Sequence, residues 1–325
     1  MKPLTFLFTA AIAAALILAP FGLARYGTYI LTLWLVFSVA AMGVNLIVGY
    51  AGQETIAQAA FLGIGAYMTA IMTKAGIPFG VAFFASGIAS FVIGILLGFP
   101  ALRVQKHYLA FVTLAFSVLV WLVIRNEQWL TGGIYGILDI KRPELFGFSL
   151  RPAPYFYWFV LAITAALTFC AWWLVRSPWG RAFIALRENP ARAESLGVNT
   201  RRYTLLAFAI GCAFGGFAGS LYAPLVEFID PAPFALSGSI LFLLMVVVGG
   251  SGTLIGPFIG AAVAVLLPEW LRFAQGYYLM FYASLVIVLM IFCPSGLVGL
   301  WQRIVAERRT RQASAARVAA AAALK

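Results

Sequence analysis

The sequence predicts an all-α integral membrane protein with about ten transmembrane helices. Of 325 residues, 63% are hydrophobic and only 10% are charged, against roughly a quarter charged in an average soluble domain. A soluble chain of this length could not hide that much apolar surface in one or two cores. The few charges cut the chain into long charge-free intervals, and the basic residues gather beside those intervals instead of spreading over a face.

An ionised residue is costly at the bilayer centre, so the charge-free intervals map the spans. They run over 3–24, 26–53, 55–73, 75–102, 107–124, 152–175, 203–226, 231–268 and 273–302. A span needs about 20 predominantly apolar residues, so eight of these intervals supply one crossing each. The interval 231–268 is too long for one, and Gly249-Gly250-Ser251-Gly252 divides it. Glycine weakens a helix and permits sharp turns, so two shorter helices are predicted there, which gives ten crossings. The first interval follows Met1-Lys2 like a signal peptide, with Gly22-Leu23-Ala24 imitating a cleavage site. Only Arg25, Tyr26 and Gly27 separate it from the next apolar run, so it reads as an uncleaved first span.

The net charge of +12 does not describe a nucleic-acid face. Six of the basic residues lie within 176–202 and six more within 303–325, with Glu188, Glu194 and Glu307 as the only counter-charges there. Basic clusters beside apolar spans set orientation in a membrane. The segment 176–202 is therefore placed in the cytoplasm; six crossings precede it and four follow, so both termini fall inside. The link 103–106 falls inside too. The longest outer loop, 125–151, carries four basic and three acidic residues and is nearly neutral. One crossing over 231–268 would export the basic tail, so the split reading is preferred. The chain divides into a polytopic domain over 1–302 and a basic, alanine-rich cytoplasmic tail over 303–325.

Within 176–202, Ser177-Pro178 reads as an N-cap followed by a first helical residue, and Asn189-Pro190 repeats the signal. Gly197 supplies a stop. Two short helices are predicted, about 178–188 and 190–196. The first is amphipathic, with Phe183, Ile184 and Leu186 against Arg181 and Arg187. The second offers Ala191, Ala193 and Leu196 as a small apolar surface, with Arg192 and Glu194 paired at its rim. It would fit a groove on another protein; the alternative is a connector touching only headgroups.

Catalysis is not indicated. No Gly-x-x-x-x-Gly-Lys-Ser/Thr phosphate loop occurs, and the glycine cluster at 249–256 lacks lysine and the dinucleotide spacing. The single His107 begins a helix beside Lys106 as an interfacial residue. Cys170, Cys212 and Cys293 sit singly in apolar runs as small hydrophobes, and no cofactor is implied. Polar residues between spans matter more. Gln53, Glu54 and Gln58 interrupt two apolar runs, and polar groups at membrane depth usually face a bundle interior or a water-filled path. They either border a solute pathway or its gate, or belong to a plain inner-side turn with Glu54 solvated. Ala60, Gly63, Ala66 and Ala70 follow at helical spacing and suit close helix packing. Glu227 and Asp230 read as outer-surface acids ending a helix, the alternative being a proton or ion site.

Several stretches in order carry a resemblance along nearly the whole chain. They are Ala59-Ala60-Phe61-Leu62-Gly63-Ile64-Gly65-Ala66-Tyr67, Pro100-Ala101-Leu102-Arg103, Tyr108-Leu109-Ala110-Phe111-Val112-Thr113-Leu114-Ala115-Phe116 and Leu130-Thr131-Gly132-Gly133-Ile134-Tyr135-Gly136-Ile137. Further on come Gly180-Arg181-Ala182, Arg187-Glu188-Asn189, Ala193-Glu194-Ser195-Leu196-Gly197-Val198, Val246-Val247-Val248-Gly249-Gly250-Ser251-Gly252-Thr253-Leu254-Ile255-Gly256-Pro257 and Leu267-Pro268-Glu269. With these the chain resembles the LivM-type permease subunit of branched-chain amino-acid ABC importers. One departure is Glu54-Thr55-Ile56-Ala57-Gln58, where the family usually continues in a Ser-Leu-Gly-His-like way, which leaves the cargo open to relatives such as urea, short amides or aromatic acids.

The resemblance implies a type II ABC importer-like permease in a bacterial or archaeal inner membrane. It implies a second, LivH-like permease, two ATP-binding subunits on the cytoplasmic side and an extracytoplasmic solute-binding protein, with no nucleic acid. Arg187, Glu188, Asn189, Pro190, Arg192, Glu194, Leu196 and Gly197 are then the candidates for coupling to the ATPase. The alternative is an ion-coupled secondary transporter or channel, which often carries paired intramembrane charges; here Glu54 is the only ionisable residue near a span interior in the early half.

Overall fold

A computed structural model of the chain describes residues 14–101, 106–145, 148–270, 284, 287 and 296–300. The start of the first predicted span, most of the link 103–106, most of the span 273–302 with Cys293, and the tail 303–325 lie outside the described residues.

The charge-free intervals are mostly helical where they are described. Residues 14–22 form a helix. Then come α1 (Arg25–Val44), continued by a π-helical turn over Asn45–Tyr50, α2 (Gln58–Lys74), α3 (Phe79–Ala101) and α4 (Lys106–Asn126). A single-turn α5 (Gln128–Thr131) opens the long loop, and α6 (Ala153–Arg176) closes it. Two short helices, α7 (Pro178–Glu188) and α8 (Pro190–Ser195), lead to α9 (Thr200–Val226), and α10 (Leu236–Gly249) and α11 (Gly256–Trp270) follow. Among the described residues, five helices are long and apolar enough to cross a membrane: Arg25–Tyr50, Phe79–Ala101, Leu109–Asn126, Ala153–Arg176 and Thr200–Val226. α2, α10 and α11 are shorter, with 17, 14 and 15 residues.

The interval 231–268 is divided where its glycines stand. α10 ends at Gly249, and Gly250 and Gly252 take φ of 121° and 80°, which a side chain would resist. The long loop corrects the all-α expectation in one place. Glu144–Leu145 and Phe148–Ser149 form a two-stranded antiparallel pair, with Glu144 opposite Ser149 and Leu145 opposite Phe148. A run this short carries too little period-2 pattern to be read from sequence. The stretch Leu130 to Ile137 in the same loop is a succession of tight turns. Thr131 Oγ1 donates to the carbonyls of Ile124 (2.7 Å) and Glu127 (2.8 Å), and Ile137 bridges to Ile229.

α9 is the central helix, packed against α1, α2 and α3. Its small residues let backbones meet: a β-carbon at Gly65 of α2 would overlap the Gly216 carbonyl, and one at Gly219 would overlap that of Leu62. Lipid supplies no hydrophobic drive between helices, so such close approach is what holds them. Ala60, Gly63, Ala66 and Ala70 are all buried along α2.

The helix ends sort into two groups. At one end, called the basic end here, 49–57, α7, α8 and the glycine break 250–255 come together. At the opposite end, Tyr26 donates to Glu269 (2.8 Å), Ile137 pairs with Ile229, and Arg142 meets Glu227.

Candidate functional site

The caps that the sequence predicts in 176–202 are formed. Ser177 Oγ accepts from the backbone N–H groups of Trp179 (3.2 Å) and Gly180 (3.4 Å), with Pro178 in the first turn of α7. Asn189 Oδ1 accepts from the Arg192 N–H at 3.1 Å, with Pro190 opening α8. Gly197 at φ 84° stops α8: its N–H reaches the Glu194 carbonyl (2.9 Å), and the Val198 N–H reaches that of Ala193 (3.0 Å). This pairing of the last carbonyls is a Schellman stop. Asn199, which the sequence reading passed over, caps α9 by accepting from the Arg202 N–H at 3.0 Å. Both short helices are therefore fixed at their ends by side chains and turns, not by length.

Their faces are also resolved. Ala182, Phe183 and Leu186 are buried, and Phe183 meets the Tyr203 ring edge-on. Ile184 stays exposed. At the end of α8, Leu196 is 82% exposed, while Arg192 and Glu194 of α8 and Glu188 of α7 are also exposed. Two expectations about α8 are corrected. Ala193 is only 2% exposed and packs inward, because a two-residue step turns a helix by about 200° and puts it opposite Ala191. Arg192 and Glu194 form no ion pair among the described residues, since side chains two apart do not face each other. The outward apolar point of α8 is Leu196.

Arg187 ties this segment to the helices. Its Nη1 donates to the Gly49 carbonyl at the end of the π-helical turn. Gly52 at φ 66° leaves room for the Arg187 stem, and a β-carbon on Gly252 would strike the guanidinium. Beneath it, Asn45 is 1% exposed and bridges two chain segments. Its Oδ1 accepts from the Gly252 N–H (2.8 Å), and its Nδ2 donates to the Thr253 carbonyl (2.8 Å). Asn45 was not singled out from the sequence, although a lone amide inside an apolar interval is the signal that could have found it.

Gln53, Glu54 and Gln58 occupy three different settings. Gln58 is 2% exposed; its Nε2 donates to the carbonyls of Ala40 (2.9 Å) and Gly211 (3.4 Å), joining α1, α2 and α9. Gln53 is buried and turns its amide onto the Ala51 carbonyl (3.3 Å). Glu54 is exposed. The backbone here is held by hydroxyls: the Ile56 N–H donates to Thr113 Oγ1 (3.2 Å) and the Ala59 N–H to Ser239 Oγ (3.0 Å). The Ala59 N–H in the first turn of α2, which has no partner inside the helix, thus draws on α10, and the approach to α2 at Ile56 draws on α4. Among the described residues no group of three His, Cys, Asp or Glu could hold a metal ion.

A family model described as branched-chain amino acid transport system, permease component, matches residues 26–293. The chain is 33% identical over 316 residues to the high-affinity branched-chain amino acid transport system permease protein LivM of Escherichia coli (strain K12), covering 90% of this chain and 74% of that protein. It is 28% identical over 241 residues to a probable branched-chain amino acid transport permease protein LivM of Methanocaldococcus jannaschii, covering 67% of each. It is also 27% identical over 261 residues to the autoinducer 2 import system permease protein LsrC of Salmonella paratyphi B, covering 74% of this chain and 73% of that one. No solved structure matches. A family match over most of the chain agrees with the buried small-residue seams and the apolar helices, and the chain belongs to the family of branched-chain amino acid transport system permease components.

Proposed function

We propose that this permease passes branched-chain amino acids or related small solutes into the cytoplasm, driven by ATP hydrolysis on separate subunits. The observation that carries the division of labour is the Arg187 bond from the capped segment 176–202 to the Gly49 carbonyl, with Leu196 left bare on the outer side of α8. A partner gripping Leu196 would move α7 and α8 as a unit, and Arg187 would pass that motion to α1 and to the glycine break. Arg187, Glu188, Asn189, Pro190, Arg192, Glu194, Leu196 and Gly197 form this coupling surface. Glu54 is exposed at the same end and borders the solute route or its gate, while Gln53 and Gln58 hold the backbone beside it.

The full arrangement is ten crossings of a type II-like permease in a bacterial inner membrane, with both termini in the cytoplasm. It works with a LivH-like second permease, two ATP-binding subunits and an extracytoplasmic solute-binding protein. The test is uptake of labelled L-leucine by the reconstituted assembly in vesicles. Uptake should require ATP and ignore an imposed proton or sodium gradient. Uptake driven by the gradient without ATP would overturn this reading in favour of an ion-coupled transporter.

A further inference from the structure

At the end opposite the coupling segment, a cavity of about 660 Å³ opens between the start of α1, the long loop, the start of α6 and the end of α9. That volume lies within the range of small-molecule sites, about 300–1,000 Å³. Its wall holds an unusual set of groups for a chain so poor in charge. Arg25, Arg142, Arg151 and Glu227 all line it, alongside the apolar Phe156 and Leu225.

These charges are not equivalent. Arg142 is committed: its Nε lies 2.9 Å from Glu227 Oε1, its Nη1 donates to the Arg151 carbonyl at 2.7 Å, and its guanidinium stacks over the Phe156 ring. It therefore fixes both Glu227 and the backbone that carries Arg151. Glu227 itself sits at φ 59° as the left-handed residue ending α9, a conformation that costs a non-glycine residue energy and persists only where the surroundings hold it. Its side chain remains 57% exposed, against 16% for Arg142, and Glu227 lines the cavity. The guanidinium groups of Arg25 and Arg151 form no ion pair or hydrogen bond among the described residues. One carboxylate, two uncommitted guanidinium groups and an apolar wall thus face one space.

We infer that this cavity is an outer binding site for an aliphatic α-amino acid, with the solute carboxylate taken by Arg25 and Arg151, its ammonium by Glu227, and its side chain laid against the half-buried Tyr29 and Pro154. The inference rests on the proposed function for its solute class and adds a site on the permease itself. Planar guanidinium groups suit a carboxylate because they donate two parallel hydrogen bonds. A zwitterion satisfies both signs at once, whereas a simple anion leaves Glu227 repelling it and a simple cation leaves the arginines doing so.

The test uses the assembled transporter in lipid nanodiscs, without binding protein and without ATP, and measures saturable binding of radiolabelled L-leucine. Arg25→Gln and Arg151→Gln should each weaken binding about tenfold or more, Arg25→Lys should restore part of it, and Lys141→Gln on the same loop should change nothing. On the unaltered protein, leucinamide and 4-methylpentanoate, which lack the carboxylate and the ammonium respectively, should each compete at least about tenfold less well than leucine. Competition by leucinamide equal to that by leucine overturns the inference whatever the variants do, as does the absence of saturable binding. ATP dependence of uptake is measured separately, so an empty vestibule overturns this site and leaves the importer reading standing.

Discussion

Arg187 is drawn toward Gly49 because the glycines around it leave no side chain in its way, and this gives a residue-scale prediction. Gly252→Ala places a methyl on the guanidinium and forces alanine to φ 80°, a strain of about 1–3 kcal/mol. Solute-stimulated ATP hydrolysis in the assembled transporter should fall, and Arg187→Ala should fall similarly. Combining the two should add little, because both remove one contact; additive losses would show that Arg187 does not act through this cradle. Gln58 gives a second prediction. Its amide spans three helices in a buried position, so Gln58→Leu should cost about 1–2 kcal/mol of stability in detergent unfolding. An unchanged unfolding midpoint, with altered solute preference, would mean that Gln58 faces the solute and not the backbone. Single residues were the least legible layer of this chain. Asn45 and Gly252 are 207 positions apart, and Arg187 and Gly49 are 138 apart. No local pattern connects partners so distant, which is why Gln58 reads from sequence as a pathway residue and in three dimensions is a strut.

At the scale of elements the sequence was far more informative, and the reason is local chemistry. The bounds of α7 and α8 follow from Ser177-Pro178, Asn189-Pro190 and Gly197, each acting within three or four residues. The split after Gly249 is equally local. The face of α8 was not legible, because six residues give too few turns to average over and Ala193 went to the wrong side. Isolated helices under about 12 residues are marginal in water, so α8 depends on its caps and on Ala193 beneath it. Leu196 then stands alone as the apolar anchor. Leu196→Asp puts a charge where a partner groove would close, and an unpaired buried charge costs about 3–5 kcal/mol. Co-purification of the ATP-binding subunits should be lost while the permease still inserts. Complexes that co-purify and transport normally would reduce α8 to a surface connector.

The whole molecule is ordered by which ends of the helices meet, and that order can be set against charge. Following the chain, α1 runs toward the basic end, α2 away from it, α3 toward it and α4 away, and the long loop 127–152 then lies at the opposite end with Arg142 on Glu227. α6 returns to the basic end, α9 leaves it, α10 returns and α11 leaves again, which brings Glu269 to Tyr26. Among the described residues the long helices thus alternate in direction, the alternation that the proposed topology requires. Orientation itself is a further step, and it rests on the six basic residues of 176–202, which make the basic end the expected cytoplasmic one. The two ends differ in a way that labelling can read. Ser195 and Ser149 are both exposed, one at the end of α8 and the other on the hairpin strand of the long loop. In a background with Cys170, Cys212 and Cys293 replaced, Ser149→Cys in intact cells should react with a membrane-impermeant maleimide. Ser195→Cys should react only after the membrane is opened. Labelling of Ser195→Cys from outside would invert the molecule, put the coupling surface on the wrong face for ATP-binding subunits, and place the arginine-lined cavity in the cytoplasm.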